Sequence, residues 1–187
     1  LLGFIALAVT GIALWIHDPY WNPFIVLLVL SGFIALAATK AAEKVPTGIG
    51  LTIILAVALA MRLIVLSADP ILSNDMYRYV WDGLVQASGI NPYRYIPADP
   101  ALVHLRDAII YPNINRADYA TTIYPPVAQF FFLAVTRLAE SITIMRLALI
   151  GCEIVALLAL IDLLRRFNKP VTLAVAYAWH PLAVWEI

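Results

Sequence analysis

Asp75, Arg78, Tyr79, Asp82 and Gln86 recur at spacings of three, four and seven residues. On a helix these positions share one face, and Met76, Val80, Trp81 and Leu84 take the opposite one. A carboxylate within reach of a hydroxyl can remove its proton, and a guanidinium grips phosphate oxygens in a fork. Two carboxylates and a guanidinium on one face therefore suit the handling of a charged or hydroxylated group. The same spacing also suits a solvated helix face with an Asp75–Arg78 or Arg78–Asp82 ion pair, and Asp75 is placed to stabilise a helix N-terminus. The pattern predicts a helix from an N-cap at Ser73 to about Ser88, ended by Gly89 and Asn91-Pro92.

The chain around this helix is turn-rich and aromatic: Gly89-Ile90-Asn91-Pro92-Tyr93-Arg94-Tyr95, then Tyr111-Pro112-Asn113-Ile114-Asn115-Arg116, then Thr122-Ile123-Tyr124-Pro125-Pro126. Aromatic faces pack on the C–H patches of sugar rings, while Asn, Asp and Arg bond hydroxyls or phosphate oxygens. Tyr79, Asn91, Tyr93 and Tyr124 are thus candidates for a substrate surface, and the competing reading of each tyrosine is a membrane-interface aromatic belt. Residues 68–126 hold seven of the nine tyrosines, six aspartates, four arginines and no lysine. Such a segment lacks a disordered composition, so an ordered subdomain is expected over 68–124.

The elements that must position this subdomain are apolar. The 187 residues are 63% hydrophobic and 13% charged, with a mean hydropathy of +0.89. An ordinary soluble domain is about 45–50% apolar and about 25% charged, so an all-α integral membrane protein is expected. Twelve basic and twelve acidic residues cancel, which leaves no electrostatic footprint for nucleic acid. The single cysteine, Cys152, lies in an apolar run and is expected to pack there. Apolar runs at both ends point to a fragment of a longer protein whose C-terminal part is missing, and no basic region precedes the first run as in a signal peptide.

Five runs approach the roughly 20 residues that a spanning helix needs: 1–16, 23–39, 49–67, 142–164 and 170–187. Lys40 and Lys44 place the second connection on the cytoplasmic side, and the lysine- and arginine-free connection over 17–22 goes outside. Residues 68–124 are then external. If 125–140 also crossed, Arg165, Arg166 and Lys169 would fall outside, so that stretch is expected to lie in the interface as an amphipathic helix starting at Pro125-Pro126. Ile187 then ends on the external side. Arg62 and Arg146 fall toward that side within their spans, where each either holds a phosphate or snorkels to the interface. Glu153 is expected to pair with a basic residue on a neighbouring helix, and Asp162 belongs with Arg165 and Arg166 as a structural group.

The order Ser73-Asn74-Asp75-x-Tyr77-Arg78-Tyr79-x-Trp81-Asp82-Gly83, Gly89-x-Asn91-Pro92-Tyr93 and Tyr124-Pro125-Pro126 resembles the GT-C superfamily of polytopic glycosyltransferases. The likeness is to polyprenyl-phosphate-sugar enzymes of the prokaryotic mannosyltransferase type, and it covers roughly residues 50–187. It implies a GT-C-like helix bundle over 49–187, preceded by a transmembrane hairpin over 1–48. It also implies inverting transfer of a hexose, mannose favoured, from a polyprenyl-phosphate donor to a glycan, lipid or protein acceptor on the external, periplasmic face of the plasma membrane. Asp75 matches the family's acidic base. Many members carry two adjacent acidic residues there; this chain has Asn74 before Asp75, which disfavours a two-carboxylate divalent-metal site and leaves a single base. The resemblance also makes Glu186, in His180-Pro181-Leu182-x-x-Trp185-Glu186, a candidate partner for Asp75; from their placement on the helix face and in the spans, Asp82 is a further acidic candidate and Arg78, Arg62 and Arg146 are candidate phosphate ligands. Two other classes remain open: a transporter or lipid-linked-sugar flippase with the loop as its gate, and a non-catalytic assembly subunit.

Overall fold

In hydrocarbon every backbone N–H and C=O must find a partner inside the chain, so long apolar runs fold as helices. The computed structural model describes residues 1–16 and 22–186, and these are helical with no strand. The expected placements of the connection at 17–21 and of Ile187 lie outside the described residues. The helices are α1 (Leu2–Ile16), α2 (Asn22–Ala42), α3 (Thr47–Leu66), α4 (Asp75–Ala87), α5 (Pro126–Leu138), α6 (Ile142–Arg166), α7 (Val175–Ala178) and α8 (Pro181–Trp185). Short 3-10 turns cover Pro100–Leu105, Tyr111–Asn113 and Val171–Ala174. The chain forms two compact units, one of residues 1–72 with 150–187 and the other of residues 73–149.

Three helices of the described residues are long and apolar enough to cross a membrane: Pro23–Ala42, Thr47–Leu66 and Ile142–Arg166. Two of the five expected spans are not among them. Helix α1 has 15 residues, about 22 Å of rise against a hydrocarbon core of about 30 Å. The 170–187 run breaks into a 3-10 turn, α7 and α8 because Pro181 has no N–H to donate and holds His180 extended, at φ −63° and ψ 128°.

In the first unit α1 packs on α2 and α3, so the 1–48 hairpin shares one core with α3, α7 and α8. Helix α3 is the central one, with Gly50, Ile54, Ala58, Met61, Arg62 and Val65 buried, whereas α6 leaves most of its surface exposed. Buried hydroxyls bond back into their own helices, as Thr10 Oγ1 does to the Ala6 carbonyl at 2.9 Å and Ser31 Oγ to that of Leu27 at 2.8 Å. Trp179 Nε1 donates to the Ile54 carbonyl at 2.9 Å, and Phe24 meets Trp185 edge to face with centroids 5.3 Å apart. Cys152 is exposed on α6 rather than packed in the core, because α6 buries so little of its surface. Asp162 pairs with Arg166 at 2.6 Å on the exposed last turn of α6.

Arg62, 7% exposed, ties the first unit together. Its Nε donates to Glu153 Oε2 at 2.7 Å, its Nη1 to the carbonyls of Ala58 at 3.1 Å and Ala178 at 3.0 Å, and its Nη2 to that of Ala183 at 3.5 Å. The Ala178 carbonyl, freed where α7 breaks from α8, and the Ala183 carbonyl, in the last turn of α8, thus find a buried donor.

The second unit is built on α4 against α5. Helix α4 starts one residue later than expected, with Asn74 at the N-cap position, and the Ser73 hydroxyl accepts the Asp75 N–H at 3.1 Å. It ends at Gly89, whose φ of +77° suits glycine; the Ile90 N–H returns to the Val85 carbonyl at 3.1 Å and closes the end. Helix α5 starts at Pro126, where a missing N–H costs nothing. It turns Gln129, Phe132, Val135 and Thr136 inward and leaves Val127, Phe130 and Leu138 exposed. The helices meet closely at Gly83: a Cβ there would lie 2.5 Å from the Phe132 carbonyl oxygen and overlap Thr136 Oγ1.

Candidate functional site

The polar face of α4 is not solvated. Arg78 and Asp82 are 4% and 1% exposed, and Arg78 Nε donates to Asp82 Oδ1 at 2.8 Å. Of the two pairings that the spacing allowed, this is the one formed, and it is buried by α5 and the chain over 120–124. Arg78 Nη1 donates to the Ala120 carbonyl at 3.2 Å, and Gln129 Nε2 donates to Asp82 Oδ2 at 2.8 Å. Both oxygens of Asp82 are therefore engaged by neighbours.

Asp75 is placed differently. It lines a cavity of about 260 Å³ together with Ser73, Arg78, Asn115, Arg116 and Tyr124. Asn115 Nδ2 donates to Asp75 Oδ1 at 2.6 Å. Burial raises the Tyr124 hydroxyl above the usual tyrosine range; nearby Tyr79, the Asp75 charge and a hydrogen bond to Asp75 push it the same way. Tyr124 thus keeps its proton beside the Asp75 carboxylate. Arg116 has φ +54°, in the left-handed region that few non-glycine residues adopt, and its carbonyl accepts the Ala120 N–H at 3.0 Å. The reversal brings Asn115 and Arg116 to the same cavity as Ala120 and Thr121.

The aromatic candidates are tied into the fold. Tyr79 stacks on Phe132 at 4.5 Å between centroids, and Tyr124 meets both rings edge-on. Tyr93 donates its hydroxyl to the Tyr124 carbonyl at 2.6 Å, while Asn91 Oδ1 accepts the Tyr93 N–H at 2.9 Å and forms the turn. Asn91 and Tyr93 line a second, more open cavity of about 440 Å³ with Gln86 and Phe130. Other loop aspartates shape backbone: Asp99 Oδ1 caps Ala101 at 2.8 Å, and Asp107 Oδ1 takes the N–H groups of Ile110 and Tyr111 at 2.8 and 2.9 Å.

Of the three arginines considered for phosphate, Arg78 alone lines the Asp75 cavity. Arg62 lies in the first unit with its donors on Glu153 and three carbonyls, and Arg146 is buried on α6 in the second. Glu186 is exposed at the end of α8 in the first unit, whereas Asp75 belongs to the second. Among the described residues no three His, Cys, Asp or Glu side chains group as a metal site.

Asn115, Arg116 and Gln129 are the site residues that spacing along α4 does not reveal. For Gln129 a signal was present, a lone carboxamide inside the apolar stretch after Pro126. Asn115 and Arg116 arrive by chain reversal and carry no periodic signal.

Fold and site together define a chain whose described residues are helical without strands, include three helices able to cross a membrane, and carry a carboxylate-and-guanidinium cavity in the second unit. No family model matches the chain, and neither does any curated protein or solved structure.

Proposed function

We propose that the chain belongs to an integral-membrane glycosyltransferase of the GT-C type, moving a hexose, mannose favoured, from a polyprenyl-phosphate donor to a glycan, lipid or protein acceptor on the external face of the plasma membrane. The observation that carries this reading is the Asp75 carboxylate, held by Asn115 in a cavity that Tyr124, Arg78 and Arg116 also line. An acceptor hydroxyl in that cavity gives its proton to Asp75 as its oxygen bonds the anomeric carbon. The bond from that carbon to the donor phosphate breaks on the opposite side, which inverts the centre. The electron pair leaves with polyprenyl phosphate, whose charge faces the two arginines. In this reading Asp82 is no second acid; it serves Arg78. Arg62 and Glu153 hold the helices, and the exposed Val127 and Phe130 on α5 suit a helix lying in the bilayer interface.

A transporter or flippase draws on one observation, the break between α7 and α8. The Ala178 carbonyl at that break is taken by Arg62, which leaves the transferase reading ahead.

The test is full-length protein in liposomes with radiolabelled polyprenyl-phosphate mannose and membrane-extracted acceptors. Label should pass to acceptor, and a folded Asp75→Asn variant should lose about 10²–10⁴-fold of the rate. Wild-type rates from that variant would remove Asp75 as the base. Movement of the donor across the bilayer without transfer would favour the flippase.

A further inference from the structure

Arg78 touches the cavity with a guanidinium that is almost wholly buried, so what fixes its plane decides what the cavity can bind. Nε is held by Asp82 Oδ1 at 2.8 Å and Nη1 by the Ala120 carbonyl at 3.2 Å. Asp82 is in turn held by Gln129, whose Nε2 donates to Oδ2 at 2.8 Å and to Thr122 Oγ1 at 2.7 Å. The other end of the same carboxamide, Gln129 Oε1, accepts from Gln86 Nε2 at 2.7 Å; that Nε2 also lies 2.9 Å from the Gln129 carbonyl and 3.1 Å from that of Asp82. The amide has one orientation available, because the flipped form would set Oε1 against the Asp82 carboxylate and Nε2 against another donor.

We propose that Gln129 is a positioning residue for Arg78, acting through Asp82, and that this relay sets the preference of the Asp75 cavity for a phosphate group. The inference rests on the reading of Arg78 as a phosphate ligand. Packing alone does not account for the arrangement: an apolar side chain at 129 would join α4 to α5 without burying a carboxamide beside a carboxylate. The relay also reaches the cavity wall itself. Ala120, which accepts from Arg78, and Thr122, which accepts from Gln129, lie on one short stretch of chain, so a single pair of side chains sets the guanidinium and the wall together. A rigid fork binds phosphate only in its own plane, so a tilt of Arg78 is felt as lost affinity for the anion and not for an uncharged chain.

The experiment measures equilibrium binding of polyprenyl phosphate and of uncharged polyprenol to the full-length protein in nanodiscs. Gln129→Met should weaken polyprenyl phosphate about tenfold and leave polyprenol unchanged. Arg78→Lys serves as the reference. If Arg78→Lys loses the preference for phosphate and folded Gln129→Met keeps it, the relay is wrong and the ligand role of Arg78 stands. If both keep the preference, the phosphate role of Arg78 fails and the relay with it. Equal weakening of both probes by Gln129→Met means a structural role only and overturns the proposal. Should Gln129→Met fail to fold, Thr122→Val, which removes one acceptor from Gln129, is read by the same ratio: a lower phosphate preference supports the relay and an unchanged one overturns it.

Discussion

Asn115 Nδ2 donates to Asp75 Oδ1 at 2.6 Å across 40 residues of sequence. The carboxylate at the head of α4 is therefore oriented from outside its own helix, by a residue placed where the chain reverses at Arg116. Asn115→Ala frees the carboxylate to rotate and should slow sugar transfer about tenfold without unfolding the protein. Asn115→Asp should slow it further, because it sets a second carboxylate against the first. Initial rates on proteins with matched thermal melts check both.

Gly83 admits α5 to the backbone of α4. Gly83→Ala drives a methyl into Phe132 and Thr136 and should cost about 1–3 kcal/mol; Gly83→Val should cost more. Thermal unfolding in one detergent, read against wild type, measures this.

The Arg62–Glu153 pair holds α3 to α6 with side chains 8% and 17% exposed. Glu153→Leu leaves the guanidinium without its counter-charge and should cost about 3–5 kcal/mol. Arg62→Met combined with Glu153→Leu should recover part of that. The part not recovered reports the Ala178 and Ala183 carbonyls that lose their donor. A double-mutant cycle on unfolding free energies separates the two.

Tyr124 titrates above the usual tyrosine range in the folded chain, so the fold binds its proton more tightly than the unfolded chain does. The stability this adds is fully present below the unfolded value of about 10 and is lost as pH rises through the higher folded value. Tyr124→Phe should therefore flatten the fall in stability above about pH 10 and leave the neutral range unaffected by titration at this position. Melting temperatures across an alkaline series test it.

Cys152 is exposed on α6, which has the least buried surface of the three described helices able to cross a membrane. A spin label there should collide more with dissolved oxygen than with a water-soluble nickel chelate, the pattern of a lipid-facing site. The reverse order would argue that this part of α6 faces water.

Much of this was legible in the sequence because it is periodic or local. Hydropathy alone marks α2, α3 and α6, and Gly89 and Pro125-Pro126 bound α4 and α5 closely. The run at 170–187 misleads because average hydropathy does not register one proline: Pro181 breaks a segment that is otherwise apolar enough to cross. The polar face of α4 misleads in another way. Spacing shows that Arg78 and Asp82 can meet, but whether they meet in water or in the interior depends on Gln129, 47 residues from Asp82. Asn115 and Arg116 depend on a left-handed residue that nothing in the order of side chains announces.

Helix α5 has two incompatible sides. Its inner side is committed to hydrogen bonds through Gln129, and its outer side shows Val127, Phe130 and Leu138, with Ile123 just before it. A piece cut out at 73–149 would carry that greasy strip bare into buffer and should clump through it. Whoever wishes to crystallise the cavity in isolation will need to blunt those side chains first, and can do so without touching Gln129.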